Sequence, residues 1–319
     1  MNARFLAKLI RNLTIGAAII ACACPLLKAK EYVWTGDVSI CWTAQEKGNW
    51  NPKGIPKAGD DVILNIDIPG KSRVSLFSDA TIKSLRFTQT TSTLNWLQIG
   101  NNITFTVSDK ILLNSKLETR GRDLVRLEIY GTGGKLVAKN GVEVGSRGML
   151  MVSTLDKENA VMIGDLDICD GGEFGFYRLN NSSNGYGTFT LQGNMNFSNN
   201  ARMRLWGNVD EKAGGNGDMF RQIRVSGDFT SNKSHLALSL KSPKKRDYFE
   251  GSSTSKFTIT GGTLNLILSP DFDYTQEYSI FENFGAGGKV TALKITGHDA
   301  RNWKAQLDKR GVLSFERLP

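Results

Sequence analysis

Three aspartates near the middle of the chain have the spacing of a chemical site. Asp165 and Asp167 alternate with Leu166 and Ile168, so a strand here would place both carboxylates on its outward face, about 6.6 Å apart. That spacing would suit a Ca²⁺ site completed by carbonyl oxygens or an acid/base pair for glycoside cleavage, with Asp170 nearby. We favour a simpler interpretation, a solvated strand face whose charges block pairing with other strands. Asp165, Asp167 and Asp170 are therefore glycan or ion candidates only, and we assign no catalytic, cofactor-binding or metal-ligating residue and predict no cofactor.

Other residue types suited to catalysis are scarce. The two histidines, His235 and His298, have no serine or cysteine nearby in a recognisable catalytic arrangement. The sequence contains no Cys-x-x-Cys, no His-Glu-x-x-His and no phosphate-binding glycine loop with lysine. The basic run Lys244-Lys245-Arg246, in an exposed loop predicted over 241–255, would suit acidic glycans or a membrane surface but is more simply solvated. Histidine-based catalysis and a histidine metal site are therefore not expected.

The first 29 residues have the composition of a secretory signal. A basic start precedes an apolar run of nine residues at 13–21, which is too short to span a membrane. Cleavage after Ala29 is expected, with Ala23 as a second site. The Ile-Ile-Ala that precedes Cys22 also matches a bacterial lipobox, in which this cysteine would be lipidated. We favour a plain signal and a secreted or cell-envelope location, with a lipoprotein anchored through Cys22 as the alternative.

Charge and hydropathy limit the partners. The whole chain has a formal net charge of +9, and removing the four basic residues of the signal leaves 36 basic and 31 acidic residues, a balance of about +5. Such an excess favours solubility, and no basic stripe interleaved with aromatic residues indicates nucleic-acid binding. No later stretch is apolar for 18 residues, so no transmembrane helix is predicted after the signal.

A glycine-containing unit recurs and predicts the architecture. Alternating runs such as Ile103, Phe105 and Val107, with threonines between them, are typical of half-buried strands. One such hairpin cannot bury its apolar face alone, so stacked coils are expected, with a large β-sandwich as the alternative. The sequence predicts an all-β, right-handed β-solenoid (β-helix-like) with an N-terminal aromatic cap. The recurring glycines, spaced by about 32 residues, are Gly100, Gly131, Gly164, Gly193, Gly227, Gly261 and Gly297.

The predicted organisation is a signal over 1–29, a capping segment over 30–66 and a solenoid domain over 67–319. The cap is rich in tryptophan, and aromatic area there would cover the first coil; a tryptophan platform for sugar rings is the alternative. A linear array would separate Cys41 from Cys169 by several coils of about 4.7–4.9 Å each. A disulfide needs Cα atoms within about 7 Å, so both are predicted to be buried free thiols.

The cap and the C-terminus carry a family resemblance. Trp-x-Gly at 34–36, Asn-Trp at 49–50 and Pro-x-x-Gly-Asp-x-Val at 56–62 resemble the opening of secreted bacterial passenger-type β-solenoid proteins. These are proteins with autotransporter-associated β-strand repeats and PEP-CTERM-type exported proteins, and the segment 278–315 is similar to their closing segment. The resemblance implies export and a β-solenoid fold, and it implies little about activity. The sequence departs from the pattern in containing neither the membrane barrel nor the C-terminal sorting anchor.

The sequence features described above account for the fold, for export and for the turns between strands, and none of them indicates catalysis. We therefore predict an exported, non-enzymatic structural or adhesive protein of the bacterial cell envelope or extracellular space. The alternative is a carbohydrate-active β-helix enzyme or glycan-binding module acting on acidic polysaccharide. The expected partner is an extracellular or envelope polysaccharide or another surface protein, and the oligomeric state stays open. Acidic and aromatic side chains stacked from adjacent coils would favour the alternative, whereas a flat face of Thr, Asn and Ser would favour a structural role.

Overall fold

The fold is built from parallel strands that repeat in a fixed cycle. The structure, a computed structural model, describes residues 29–36, 39–42, 47–64, 73–87, 95–115, 125–154, 159–178, 186–206, 220–285 and 287–319. All strands belong to the compact unit Glu31–Pro319. The described residues contain no helix long and apolar enough to cross a membrane.

The strands are short, and one 3-10 helix (Lys47–Asn49) lies between the first two. In the first half of the chain they are β1 (Glu31–Trp34), β2 (Trp50–Asn51), β3 (Asp61–Leu64), β4 (Arg73–Leu76), β5 (Ala80–Ile82), β6 (Ser84–Phe87), β7 (Asn95–Ile99), β8 (Thr104–Val107), β9 (Ile111–Leu113), β10 (Val125–Tyr130), β11 (Lys135–Ala138), β12 (Val142–Val144), β13 (Gly148–Thr154), β14 (Asn159–Ile163), β15 (Leu166–Ile168) and β16 (Glu173–Arg178). In the second half they are β17 (Tyr186–Gln192), β18 (Met195–Ser198), β19 (Arg202–Trp206), β20 (Phe220–Val225), β21 (Phe229–Asn232), β22 (His235–Ser242), β23 (Lys245–Arg246), β24 (Tyr248–Glu250), β25 (Phe257–Thr260), β26 (Thr263–Leu268), β27 (Tyr278–Ser279), β28 (Phe281–Glu282), β29 (Gly288–Thr291), β30 (Lys294–Thr296), β31 (Trp303–Leu307) and β32 (Val312–Arg317).

Three long sheets share these strands, and a small fourth sheet follows. Sheet A has the order β2-β1-β3-β6-β9-β12-β15-β18-β21-β25-β29. Sheet B has the order β30-β26-β22-β19-β16-β13-β10-β7-β4, with β23 added beside β22, and sheet C has the order β28-β24-β20-β17-β14-β11-β8-β5. Sheet D contains β27, β32 and β31. From β3 to β30 the chain visits A, B and C in turn, apart from β23 and β27, which confirms the predicted all-β, solenoid-like fold.

In-register stacking makes one continuous core. On sheet B the inward row includes Leu97, Leu127, Leu150 and Phe174, which are partners on successive strands and are fully buried. Each coil contributes only a few such side chains, so neighbouring coils must cover one another to remove the apolar surface from water. The residues between the inward positions face outward, which is how the fold presents side chains for binding.

The recurrent glycines mark corners, but not the same corner. Gly131 follows a sheet B strand, Gly164 a sheet C strand and Gly261 a sheet A strand. Gly164 has a φ of 117°, and a Cβ there would lie 2.0 Å from the carbonyl oxygen of Ala138, so this corner requires glycine. The spacing therefore predicted a coiled array correctly without identifying where each coil begins.

The predicted N-terminal aromatic cluster is present and buried. Trp34 and Trp50 lie edge-to-face with ring centroids 4.9 Å apart, and Trp42 lies 4.7 Å from Trp50. Trp42 also contacts Phe105 of the second coil at 5.5 Å. The three indoles are at most 2% exposed. They cover the end of the core, as the cap interpretation predicted, and their burial leaves no sugar platform on these rings.

Candidate binding face on sheet B

The three predicted aspartates accept hydrogen bonds from residues of the next coil. Asp165 precedes β15, Asp167 lies within it and Asp170 follows it. Among the described residues, no group of three or more His, Cys, Asp and Glu is placed to hold a metal ion. Their use as glycan or ion ligands stays a prediction. Each carboxylate accepts one hydrogen bond from asparagine, from the backbone N of Asn194 at 2.8 Å, from Nδ2 of Asn196 at 2.8 Å and from Nδ2 of Asn199 at 3.2 Å.

The basic run lies in structured backbone, so the loop predicted over 241–255 is wrong. Strand β22 turns back into β23, and β24 follows one residue later. The Arg246 side chain is 10% exposed and pairs with Glu282, and its Nε donates to the Ser279 carbonyl at 2.6 Å. Lys245 and Arg246 therefore lie in a paired strand, and Arg246 is held by contacts within the protein, whereas the charge of the run had predicted a solvated loop.

The cysteines inside the described residues are free thiols, as predicted. Cys41 and Cys169 are half-buried, so the predicted burial is only partial. Burial, with Asp170 nearby, raises the pKa of Cys169 to about 11, which keeps this thiol protonated near neutral pH. Cys22 and the rest of the predicted signal over residues 1–28 lie outside the described residues.

A surface not identified in the sequence lies on the outer side of β4, β7 and β10. Inward Leu97 and Leu127 are buried, so the residues that alternate with them point away from the core. Aromatic, cationic and polar side chains from three successive coils meet there. We call this surface the sheet B face, and it consists of Arg73, Phe77, Trp96, Gln98, Arg126, Glu128 and Tyr130.

At one end of the sheet B face, an indole lies between two guanidinium groups. Arg73, Trp96 and Arg126 are partners across β4, β7 and β10. The guanidinium carbons lie 5.5 Å (Arg73) and 5.2 Å (Arg126) from the ring centroid. Each cation–π contact at such a site contributes about 0.5–1 kcal/mol. The contacts hold both guanidinium groups against the ring.

The centre of the face contains a buried carboxyl. Glu128 is 2% exposed and accepts hydrogen bonds from Nε2 of Gln98, at 2.9 Å, and from the Ser153 hydroxyl. Burial raises the pKa of Glu128, while the hydrogen bonds from Ser153 and Gln98 and the charge of Arg126 oppose that rise. The side chain therefore takes up a proton more readily than an exposed glutamate does.

The other end of the face is an apolar cleft of about 240 Å³ at the corner between sheets B and C. The Phe77 ring, 60% exposed, is one of two large apolar side chains exposed in the described part of the chain. Apolar walls with a few polar groups are typical of ligand sites. The cleft is lined by Leu76, Phe77, Gln98, Gly100, Asn101, Ile103 and Tyr130.

Sheet A presents a different outer face. Its C-terminal half carries two rows of small polar side chains in register across three coils. The flat face of Thr, Asn and Ser that would favour a structural role is therefore present on sheet A, whereas the sheet B face is cationic and aromatic rather than acidic and aromatic. The first row is Asn196, Thr230 and Thr258, and the second is Ser198, Asn232 and Thr260.

Comparisons of the chain with protein-family profiles, curated proteins and solved structures found no match in any of the three. No family is therefore identified. The geometry of the structure shows an all-β fold with three long sheets of parallel strands stacked in register.

Proposed function

We propose that this protein is an exported, non-enzymatic adhesive protein of the bacterial cell envelope or extracellular space that binds polysaccharide through the sheet B face. The observation that carries the proposal is the cation–aromatic surface formed by three coils and ending in an open cleft. Sugar rings present apolar C–H faces and polar hydroxyl edges. Phe77 and Tyr130 suit the faces, and the amides of Gln98 and Asn101 suit the hydroxyls.

Export is supported by the sequence alone. The basic and apolar order of residues 1–29 and the resemblance of the cap to passenger-type proteins both favour secretion. Lipid attachment through Cys22 is the alternative.

Binding without cleavage is supported by the burial of the carboxyl groups on the outer side of sheet B. Glu128 and Glu173 are 2% and 6% exposed. Neither is open to a sugar in the way that the acid and base of a glycosidase must be. Oε1 of Glu173 also lies 2.7 Å from Nη2 of Arg204. An enzyme acting on polysaccharide remains the alternative.

The test is affinity electrophoresis of the purified protein in gels containing neutral or acidic polysaccharides. We expect retardation by at least one polymer, and Phe77→Ala should weaken it. Thr258→Ala, on the polar face of sheet A, is the matched control and should leave retardation unchanged. Equal effects of the two substitutions would contradict the proposal. Release of reducing sugars or unsaturated products from the same polymers would favour the enzyme instead.

A structural role is a second candidate, and the flat polar face of sheet A favours it. Amide and hydroxyl groups repeating at the strand spacing of about 4.8 Å would suit contact with another regular surface. If this role is correct, Thr230→Lys with Thr258→Lys should reduce assembly measured by light scattering, while Phe77→Ala should not. Lysines are chosen because bringing another surface into close contact would require removing their charges from water.

A further inference from the structure

We infer that the ligand of the sheet B face is an acidic polysaccharide bound in one direction, with an anionic group at Arg73 and Arg126 and a ring face in the cleft beside Phe77. This inference rests on the proposed function and names its ligand class and orientation. One end of the face is cationic and the other is apolar. A polysaccharide made only of neutral sugars would have no group that suits the cationic end.

The cationic end is built for a planar anion. Guanidinium groups donate through a rigid fork that matches a carboxylate, and such charge-assisted hydrogen bonds are stronger than neutral ones. Because Arg73 and Arg126 lie against Trp96, less side-chain freedom is lost when they bind. The arginines come from the coils before and after the indole, so they flank one position on the surface.

One carboxyl lies at the centre of the face, and its own contacts limit how much it opposes an anionic ligand. Glu128 lies between the cationic end and the cleft, yet it is 2% exposed and covered by its hydrogen-bond partners. Burial raises the pKa of this carboxyl, which favours its neutral form. When the carboxyl is ionised, its hydrogen bonds from Gln98 and Ser153 and the charge of Arg126 partly compensate it.

The length of the face predicts the length of ligand required. The row of Trp96 and the row of Gly100 and Tyr130 are separated by four residues along the strands, about 13 Å. One sugar residue is shorter than this. Affinity should therefore increase with oligosaccharide length until the ligand reaches from the arginines to the cleft, and then stop increasing.

The experiment compares polymers that share a backbone and differ in charge. Isothermal titration of the full-chain protein uses polygalacturonate, alginate and hyaluronate, each beside its methyl-esterified or carboxyl-reduced form. We expect at least one acidic polymer to bind about tenfold more tightly than its neutral counterpart at low salt. Added salt should reduce that preference, because the cations are partly exposed.

Paired variants separate the two ends. Arg73→Gln with Arg126→Gln should abolish the preference for the acidic form while leaving binding of the neutral form. Phe77→Ala should weaken both forms, and Thr258→Ala should change neither. Circular dichroism melts identify any variant that fails to fold, and Arg73→Lys then serves as the milder change, because lysine keeps the charge without the fork.

The outcomes distinguish this inference from the proposed function. If acidic and neutral forms bind equally, polysaccharide binding stands and the acidic specificity is wrong. If the preference survives the double arginine substitution, the orientation is wrong. If none of the polymers binds, both proposals are wrong.

Discussion

Arg221 and Asp247 form an ion pair inside the solenoid. Nη1 of Arg221 lies 3.3 Å from Oδ2 of Asp247, and the side chains are 0% and 1% exposed. The carboxylate also accepts hydrogen bonds from the backbone N–H groups of Arg221 and Ser239, each at 2.7 Å. These contacts join β20 to β22 and to the segment that enters β24. The pair therefore fixes the corner from which the β22–β23 hairpin leaves the coil.

Asp247→Ala should destabilise the protein by about 3–5 kcal/mol, because it leaves the Arg221 guanidinium buried without its partner. Burial raises the pKa of Asp247, and the guanidinium beside it opposes that rise, so the pair depends on both members. Denaturant unfolding followed by tryptophan fluorescence measures the loss. Arg221→Met with Asp247→Leu should recover much of the stability, since no unpaired charge remains. A double variant no better than Asp247→Ala would contradict this account.

Trp50→Ala should loosen the N-terminal coils before the others. Trp50 is 1% exposed and contacts Trp34 and Trp42, so its removal should cost about 3–5 kcal/mol. Stacked coils interact mainly with their neighbours, so the loss should be local. Hydrogen exchange should increase in β1, β3 and β6 and change little in β25 and β26. Phe77→Ala, which removes an exposed ring, is the control, and uniform loss of protection would contradict the prediction.

The sequence predicted the coiled fold because inward positions obey a local rule. Phe105 and Val107, predicted from alternation alone, are fully buried. The binding face cannot be predicted by such a rule. The contact between Gln98 and Glu128 depends on the register between coils, which alternation within one strand does not give. Sheet A strands begin 23 residues apart at Asp61 and Ser84, and other coils are longer, so one period cannot supply that register.

A local signal for the face does exist in the sequence. Trp-Leu-Gln-Ile-Gly at 96–100 and Arg-Leu-Glu-Ile-Tyr-Gly at 126–131 share their apolar positions. Aligning the two segments places Trp96 beside Arg126 and Gln98 beside Glu128, as the structure does. Glycine spacing concealed this match, because Gly100 and Gly131 follow the shared isoleucine at different distances.

Gly164→Ala should destabilise the corner between sheets C and A by more than about 2 kcal/mol. The substitution combines strain at a φ of 117° with a Cβ placed 2.0 Å from the Ala138 carbonyl oxygen. Gly171→Ala is the matched control, since Gly171 has a φ of 80° but no atom within 4 Å of an added Cβ. It should show the strain alone, about 1 kcal/mol. Equal losses in denaturant unfolding would show that the close approach at Gly164 does not matter.

Glu128→Gln should change how stability depends on pH. Burial raises the pKa of Glu128 above its ordinary value of 4.5. The unfolded chain then releases this proton at a lower pH than the folded protein does, so folding takes up a proton between the two values. The contribution of Glu128 to the free energy of unfolding is therefore most favourable in acid, falls as pH rises through the folded pKa and is constant above it. Glutamine does not titrate, so in the Glu128→Gln protein this position contributes equally to the free energy of unfolding at every pH.

The free energy of unfolding of Glu128→Gln, relative to the unsubstituted protein, should therefore increase from about pH 4.5 upward and then level off. Denaturant titrations across that range measure the difference. Glu316→Gln, an exposed change on β32, corrects for the loss of one negative charge. A difference that stays constant with pH would mean that the fold does not shift this carboxyl. A decrease would mean that the hydrogen bonds from Gln98 and Ser153 stabilise the ionised form more than burial opposes it.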